Sequence, residues 1–423
     1  MSQATSTPPA RRLDRKEIFG WAMFDFANSS FTTVMITAYF GAFFKDQIVG
    51  EAGNGSTLWG AAMSLSQLLV ILTAPLLGAL ADFSGAKKKF LLVTYLGCSL
   101  GTMALGLAGP GDIALAMLLF IAANVFYSSG ENFVSAFLPE IAPPEMMGRI
   151  SSIAWGLGYF GGIGALLLSV FILSLNDSAH RFVWLMVGAW FLLAGLPTFL
   201  FVRERRKHDP MPPGQTMATI GFHRLGRTLR QARRFRQLFR FLITYMIFGC
   251  GVFAVVAFAG IIGKDMLGFS DTTLGIFLIV TNVLAAAGAL TGGVLQDKLG
   301  SRPAIISALI IWLVAVALIL VIEATAEGES AGAAARTIIW VVGVLVGLAM
   351  GATFAASRAF VGLLSPADRS AEFYGLWGLF GKLGYMIGPF VFGALHDSVG
   401  ARAAILVLGV FFILGIVEIG RAS

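Results

Sequence analysis

Charge is scarce in this chain. Only 13% of its 423 residues are Asp, Glu, Lys or Arg, against roughly 25% in soluble globular domains, which sets it outside that class. Cysteine is nearly missing as well. Cys98 and Cys250 are the only two, and both fall inside apolar runs, so they read as small core residues, with neither a disulfide framework nor a metal site. The four histidines, His180, His208, His223 and His396, lie in polar stretches or at the ends of apolar runs without metal-ligand spacing. No G-x-x-x-x-G-K-[ST] phosphate loop occurs, which argues against a primary pump. No catalytic group and no enzyme activity are expected, and no cofactor is assigned. No cleavable leader is expected either: the chain starts polar, with Pro8, Pro9, Arg11, Arg12, Arg15 and Lys16, and the apolar run behind is too long for a signal h-region.

What is abundant is apolar surface. The chain is 57% hydrophobic with mean hydropathy +0.82 and contains 51 glycines, small residues that let helices approach closely in lipid. About 20 apolar residues cross a hydrocarbon core as a helix. By that rule the sequence predicts an all-α membrane protein of twelve spans, roughly 18–44, 57–81, 90–109, 112–138, 150–174, 181–202, 238–263, 272–296, 303–322, 337–364, 371–395 and 402–419. Four parts follow: a cytoplasmic tail over 1–17, a six-helix bundle over 18–202, a basic cytoplasmic linker over 203–237 and a second six-helix bundle over 238–423. The net charge of +7 reads as the positive-inside rule and not as a nucleic-acid footprint. Most Lys and Arg fall in the tail, the linker and alternate short loops, which puts both termini in the cytoplasm. In the linker, Phe222, Leu225, Leu229, Ala232 and Phe239 recur at helical spacing among Arg224, Arg227, Arg230, Arg233 and Arg234. This predicts an amphipathic helix on the membrane face, or a basic linker with no partner.

Internal similarity carries the architecture. G-A-L-A-D-F-S-G-A-K-K after span 2 holds Gly78, Asp82, Gly85 and Lys88, and G-V-L-Q-D-K-L-G-S-R after span 8 holds Gly293, Asp297, Gly300 and Arg302. A third copy, from Gly393 to Arg402, follows span 11. The first Gly is expected to admit a neighbouring helix and the second to permit a tight turn. The base is expected to satisfy the last carbonyls or to pair with an acid on another helix. Copies at matching places in the two halves predict two pseudo-symmetric six-helix bundles, each built of three-helix units of inverted topology. By letters alone, Gly156-x-Gly158-x-x-Gly161 matches a dinucleotide fingerprint, but inside a span it predicts close helix packing.

These turns resemble the signature of the major facilitator superfamily of secondary transporters. Other strings are more specific: W-A-M-F-D-F-A-N-S-S-F from Trp21 to Phe31, F-L-P-E-I-A from Phe137 to Ala142, G-Y-F-G-G from Gly158 to Gly162, Ser357-Arg358, A-E-F-Y-G-L from Ala371 to Leu376, Gly381-Lys382 and Gly388-Pro389. Together they resemble the fungal vacuolar amino-acid effluxers and their bacterial relatives over nearly the whole chain. The resemblance implies a twelve-helix fold, alternating access and amino-acid export. Two positions depart from the pattern: Phe24 stands where that family often has Tyr, and span 5 lacks the Pro of the antiporter motif.

Charges within a span cost a few kcal/mol and face a cavity or a partner. Four qualify: Asp25 in span 1, Glu131 in span 4, Arg358 in span 10 and Lys382 in span 11. With Asn28 and Asn132 they are the candidate substrate-binding or gating residues. Arg358 or Lys382 suits a carboxylate, and Asp25 or Glu131 an ammonium. Glu131 with Arg358 reads equally as a gate. Glu131 is also the candidate carrier of a coupling proton. Asn28, Ser29, Asn124, Asn132, Tyr245, Asn282 and Ser357 are polar residues at similar depth, and Trp155, Tyr159, Trp377 and Tyr385 are aromatics available to shape a pocket. The expected function is secondary transport of a small polar solute by a monomer in a bacterial inner membrane, with the bilayer and the solute as partners. A lipid or lysolipid carrier and a non-transporting solute sensor are the alternatives.

Overall fold

The computed structural model describes residues 14–176, 178–205, 216–325, 331–365 and 370–421. The tail before Asp14 and the linker from 206 to 215, both named above, lie outside the described residues. No strand occurs among the described residues. The spans form α1 (Arg15–Ser30, with continuations), α2 (Gly55–Ser84), α3 (Lys87–Ala104), α4 (Ile113–Ser135), α5 (Pro144–Leu175), α6 (His180–Phe201), α7 (Arg236–Asp265), α8 (Asp271–Leu299), α9 (Ser301–Thr325), α10 (Ala331–Leu364), α11 (Ser370–Ser398) and α12 (Ala401–Gly420). A separate helix, Met217–Ala232, occupies the linker. The twelve spans make two six-helix bundles, so both described ends of the chain sit on one face, here the termini face, opposite the far face.

Eleven helices are long and apolar enough to cross a membrane by length and composition. The remaining span, α1, falls short because of its sequence. It opens on a cap in which the Asp14 carboxylate accepts from the Lys16 amide at 3.0 Å, and its middle carries Asp25, Asn28, Ser29 and Ser30. At Phe31 the helix widens into a π-helical stretch to Ala38, turns at Tyr39, and continues as Phe40–Phe43 and a second π-stretch, Phe44–Val49. Such π segments concentrate at functional sites.

Close helix packing places α1. The Gly158, Gly161 and Gly162 run of α5 forms a groove for it: a Cβ at Gly158 would meet the Ser29 hydroxyl at 2.9 Å, one at Gly162 the Thr33 side chain, and one at Gly161 would press on the Phe26 carbonyl. The dinucleotide-like letters are therefore helix packing at two of three positions, while Gly156 touches nothing within 4 Å. Gly161→Ala is expected to destabilise the protein by about 1–3 kcal/mol, the usual cost of overpacking, seen as a lower midpoint in a thermal melt. Gly156→Ala serves as the unaffected control.

Candidate functional site

Two glycine pairs report how the halves meet. Gly60 and Gly78 are 18 residues apart on α2, about five turns, and so lie on one face. A Cβ at Gly60 would run into the Pro389 carbonyl of α11, whereas one at Gly78 meets nothing within 4 Å. Gly275 and Gly293 repeat this spacing on α8: Gly275 abuts Val170 of α5 and the Tyr39 hydroxyl, and Gly293 faces open space. The halves therefore touch near the far face and part toward the termini face. Gly393 is backed by the Ser56 carbonyl, so the expectation that each first motif glycine admits a neighbour holds only for this third copy. At Gly78 and Gly293 the prospective neighbours are withdrawn in this state.

The second motif glycines, Gly85, Gly300 and Gly400, have φ of +61°, +90° and +112°, a backbone region costly for any residue with a Cβ. The basic positions are anchored in the first copy. Lys88 Nζ donates to the Val202 carbonyl at the end of α6 at 2.8 Å, and Lys87 Nζ donates to Glu140 at 2.9 Å. Glu204 accepts from the Lys87 amide at the start of α3 at 2.5 Å. Glu17, nearly fully buried, accepts two bonds from the Arg205 guanidinium at 2.8 and 2.5 Å; that bond holds Arg205 above its usual pKa. In the second copy Asp297 is exposed and Arg302 is half-buried.

The far face is latched by residues that sequence reasoning passed over. Lys45 Nζ bonds Asp265 at 2.6 Å, with His396 3.7 Å from the same carboxylate. His180 lies 3.1 Å and Lys264 2.7 Å from Asp271, and the Tyr39 hydroxyl donates to the Asp271 carbonyl at 3.1 Å. The Thr57 amide donates to Asp397 at 2.6 Å, and the Trp59 indole to the Ala257 carbonyl at 2.7 Å. Burial lowers the Lys45 pKa, but its bonds to Asp265 and its proximity to Asp46 outweigh this and raise it. The Lys45 contribution is thus expected to be complete below the unfolded lysine pKa of about 10.4 and lost only as pH rises through the raised folded value. Charges at span ends say nothing in a sequence about which half they pair with. The one available signal was that Lys45, His180, Asp265, Asp271 and His396 all fall at far-face ends.

Between the latch and the open side lie the four intramembrane charges. Both acids belong to the first half and both bases to the second. Glu131 accepts from the Tyr127 hydroxyl at 2.9 Å, and Tyr127 in turn accepts from Thr32 at 3.1 Å. The opposite charge that Glu131 feels is Lys382 of α11, while Asp25 feels Arg358 of α10. No pair among the four comes within 4 Å. Glu131 and Arg358, the candidate gate, are not in contact in this state, in which the halves part on the termini side. Lys382 sits about 18 Å into α11 and Arg358 only about 9 Å from the termini end of α10. Arg358 also donates to Ser151 of α5 across the two halves on the termini side.

Asn28 is buried with no side-chain partner among the described residues. Asn132 is exposed, about 100° around α4 from Glu131. The Asn124 amide donates to Ser66 at 2.6 Å and the Asn282 amide to the carbonyl of Leu278 on its own helix at 2.8 Å, so both are spent on structure. Buried and unsatisfied are the Ser357, Tyr385 and Trp377 polar atoms and one oxygen each of Gln67 and Asn124. Trp377 stacks on Tyr245 at 5.3 Å, Tyr385 lies 4.8 Å from Phe253, and Trp155 reaches across the halves to Phe354 at 6.5 Å. Buried polar groups without partners are rare; Asn124, Ser357, Trp377 and Tyr385 sit on helices that bear the charges, whereas Gln67 on α2, Ser99 on α3 and Trp184 and Trp190 on α6 do not.

Comparison with known proteins decides the family. The family described as "Vacuole effluxer Atg22 like" matches residues 56–421. This chain belongs to it. The MFS-type transporter YxiO of Bacillus subtilis is 27% identical over 416 residues, covering 95% of this chain and 94% of its own. Autophagy-related protein 22 of Coccidioides immitis is 24% identical over 425 residues, covering 84% and 70%. Autophagy-related protein 22-1 of Aspergillus niger is 26% identical over 308 residues, and the match spans 49% of that longer protein. Among solved structures, a bacterial homolog of the human lysosomal transporter Spinster, inward-facing and unoccupied, superposes with TM-score 0.69 at 15% identity, covering 96% and 95% of the two chains. The nucleoside transporter NupG follows at TM-score 0.66 and 14% identity, covering 96% and 97%. The Atg22-like chain is thus a membrane transporter with the major facilitator fold.

Proposed function

We propose that this Atg22-like protein is a secondary transporter of small zwitterionic solutes, amino acids first, working by alternating access. The observation that supports this most is the division of charge, with Asp25 and Glu131 on one half and Arg358 and Lys382 on the other, across an interface open only at the termini face. An amino acid between them sets its ammonium against the first half and its carboxylate against the second. Such a solute interacts most strongly when the halves approach, and that differential affinity is what drives a conformational change. Tyr127 and Thr32 give Glu131 a hydrogen-bonded chain by which it serves as carrier of a coupling proton. The basic residues Lys87, Lys88, Lys298, Arg302 and Arg421 support a cytoplasmic termini face, and the likeness to a Bacillus subtilis transporter supports a bacterial inner (plasma) membrane. The description of the family as a vacuole effluxer favours export. Four interior charges weigh against a lipid or lysolipid carrier.

The test is a thermal-shift screen of the purified protein against single L-amino acids. A ligand at about 100 times its Kd stabilises the native state by roughly 2.7 kcal/mol, so at least one amino acid is expected to raise the melting midpoint by several degrees. The rise is expected to vanish in Arg358→Gln or Lys382→Met. A screen with no shift, or a shift that survives both substitutions, would overturn the zwitterion site.

A further inference from the structure

The linker helix Met217–Ala232 is the largest element that transport leaves without a task. Its inner side is fixed. Gly221 lies so close to the Pro75 carbonyl that no Cβ fits, Ile220 packs on Ala79, and Leu225 and Leu229 lean on the core. It therefore rests on the turn of α2 where Pro75 interrupts the helical bonding, and it also touches α11 and α7 of the other half. Pro75 is about 30 Å along α2 from its far end, the thickness of a hydrocarbon core. The helix is thus held at the depth where α2 leaves the apolar slab for the headgroups.

The opposite side of this helix is unpaired and of one sign. His223, Arg227 and Arg230, at i, i+4 and i+7, share an exposed arc facing away from Gly221, Leu225 and Leu229. Arg234 and Arg236 are exposed just beyond the helix. Arg227, Arg230, Arg234 and Arg236 meet no acidic group among the described residues, and the sequence holds no Asp or Glu between Asp209 and Asp265. Phe222, 47% exposed, stands at the border between the apolar and basic arcs. An aromatic at that border, beside arginines without counter-ions and at headgroup depth, fits a surface that is apolar below and anionic above.

We propose that the linker helix docks on anionic phospholipid headgroups, with Arg227, Arg230 and His223 on the phosphates and Phe222 in the acyl boundary, and so ties the junction of the two halves to the lipid surface. An acidic protein would satisfy the arginines but gives no reason for Phe222 or for the depth.

The experiment is amide hydrogen exchange of the full chain in nanodiscs of phosphatidylcholine alone and of phosphatidylcholine doped with phosphatidylglycerol. In the doped discs exchange across Met217–Ala232 is expected to slow roughly fivefold for each arginine engaged, while the far-face loop around Asn54 exchanges alike in both. In Arg227→Gln/Arg230→Gln, both exposed and free of folding contacts, the difference is expected to disappear. Equal exchange of the wild-type helix in the two lipids would overturn the proposal, as would an undiminished difference in the double variant.

Discussion

Asp265→Asn combined with Asp271→Asn is expected to open the far face. These carboxylates receive Lys45 and His180 from the first half. A hydrogen bond to a charged group contributes about 1.5–3 kcal/mol. The Lys45–Asp265 pair is about a quarter exposed, at 24% for each side chain, so solvent screening puts it at the low end of that range. Losing both shifts the balance between closed and open far face by about 3 kcal/mol, or on the order of a hundredfold. With Cys98 and Cys250 buried, spin labels on cysteines introduced at the exposed positions Gln47 and Val399 report the change by pulsed EPR. The wild type is expected to show one short distance and the double variant mainly a longer one. An unchanged distribution would mean that the apolar contacts of α1, α2, α7 and α11 hold this face shut without the ion pairs.

Much of the fold was legible in the sequence because lipid imposes a coarse rule: backbone groups must be satisfied within each span, so apolar length alone counts helices. The rule erred at α1, where Asp25 to Ser30 and two π-stretches break both the apolarity and the regular helix, and those irregularities belong to the site itself. The repeat was legible because Gly85, Gly300 and Gly400 all take a positive φ, which only glycine adopts freely. What Gly78 and Gly293 contact was not, because their neighbours depend on which face of the transporter is closed, and one sequence encodes both states. Which of the four buried charges meet was not legible for a related reason: matching positions in two pseudo-symmetric halves suggested Glu131 with Arg358, a termini-side pairing whose members stand apart in a state parted on that side. The cross-half pairing of the far-face latch was not legible, since Lys45 with Asp265 and His180 with Asp271 join residues more than 90 positions apart through a geometry that only the assembled bundles create.

The opposed charges also predict a non-additive pair of substitutions. Lys382→Met leaves Glu131 with only Tyr127 beside it, and Glu131→Gln leaves Lys382 with no partner among the described residues. Removing one member of a buried pair in contact costs about 3–5 kcal/mol. Glu131 and Lys382 are not in contact, so each single change is expected to cost less, on the order of 1–3 kcal/mol, read as a lower melting midpoint. The double variant Glu131→Gln/Lys382→Met restores neutrality and is expected to recover most of that stability, a coupling that a double-mutant cycle measures directly. Solute exchange is expected to behave otherwise. Counterflow of the amino acid found by thermal shift, in vesicles, should fall by at least about a hundredfold in both single variants, the loss of charge-assisted bonds to an ammonium or a carboxylate. It should remain lost in the double variant, where the fold is repaired and the site is not. Counterflow that returned together with stability would make the two charges a packing bridge. Stability without counterflow places the solute between them.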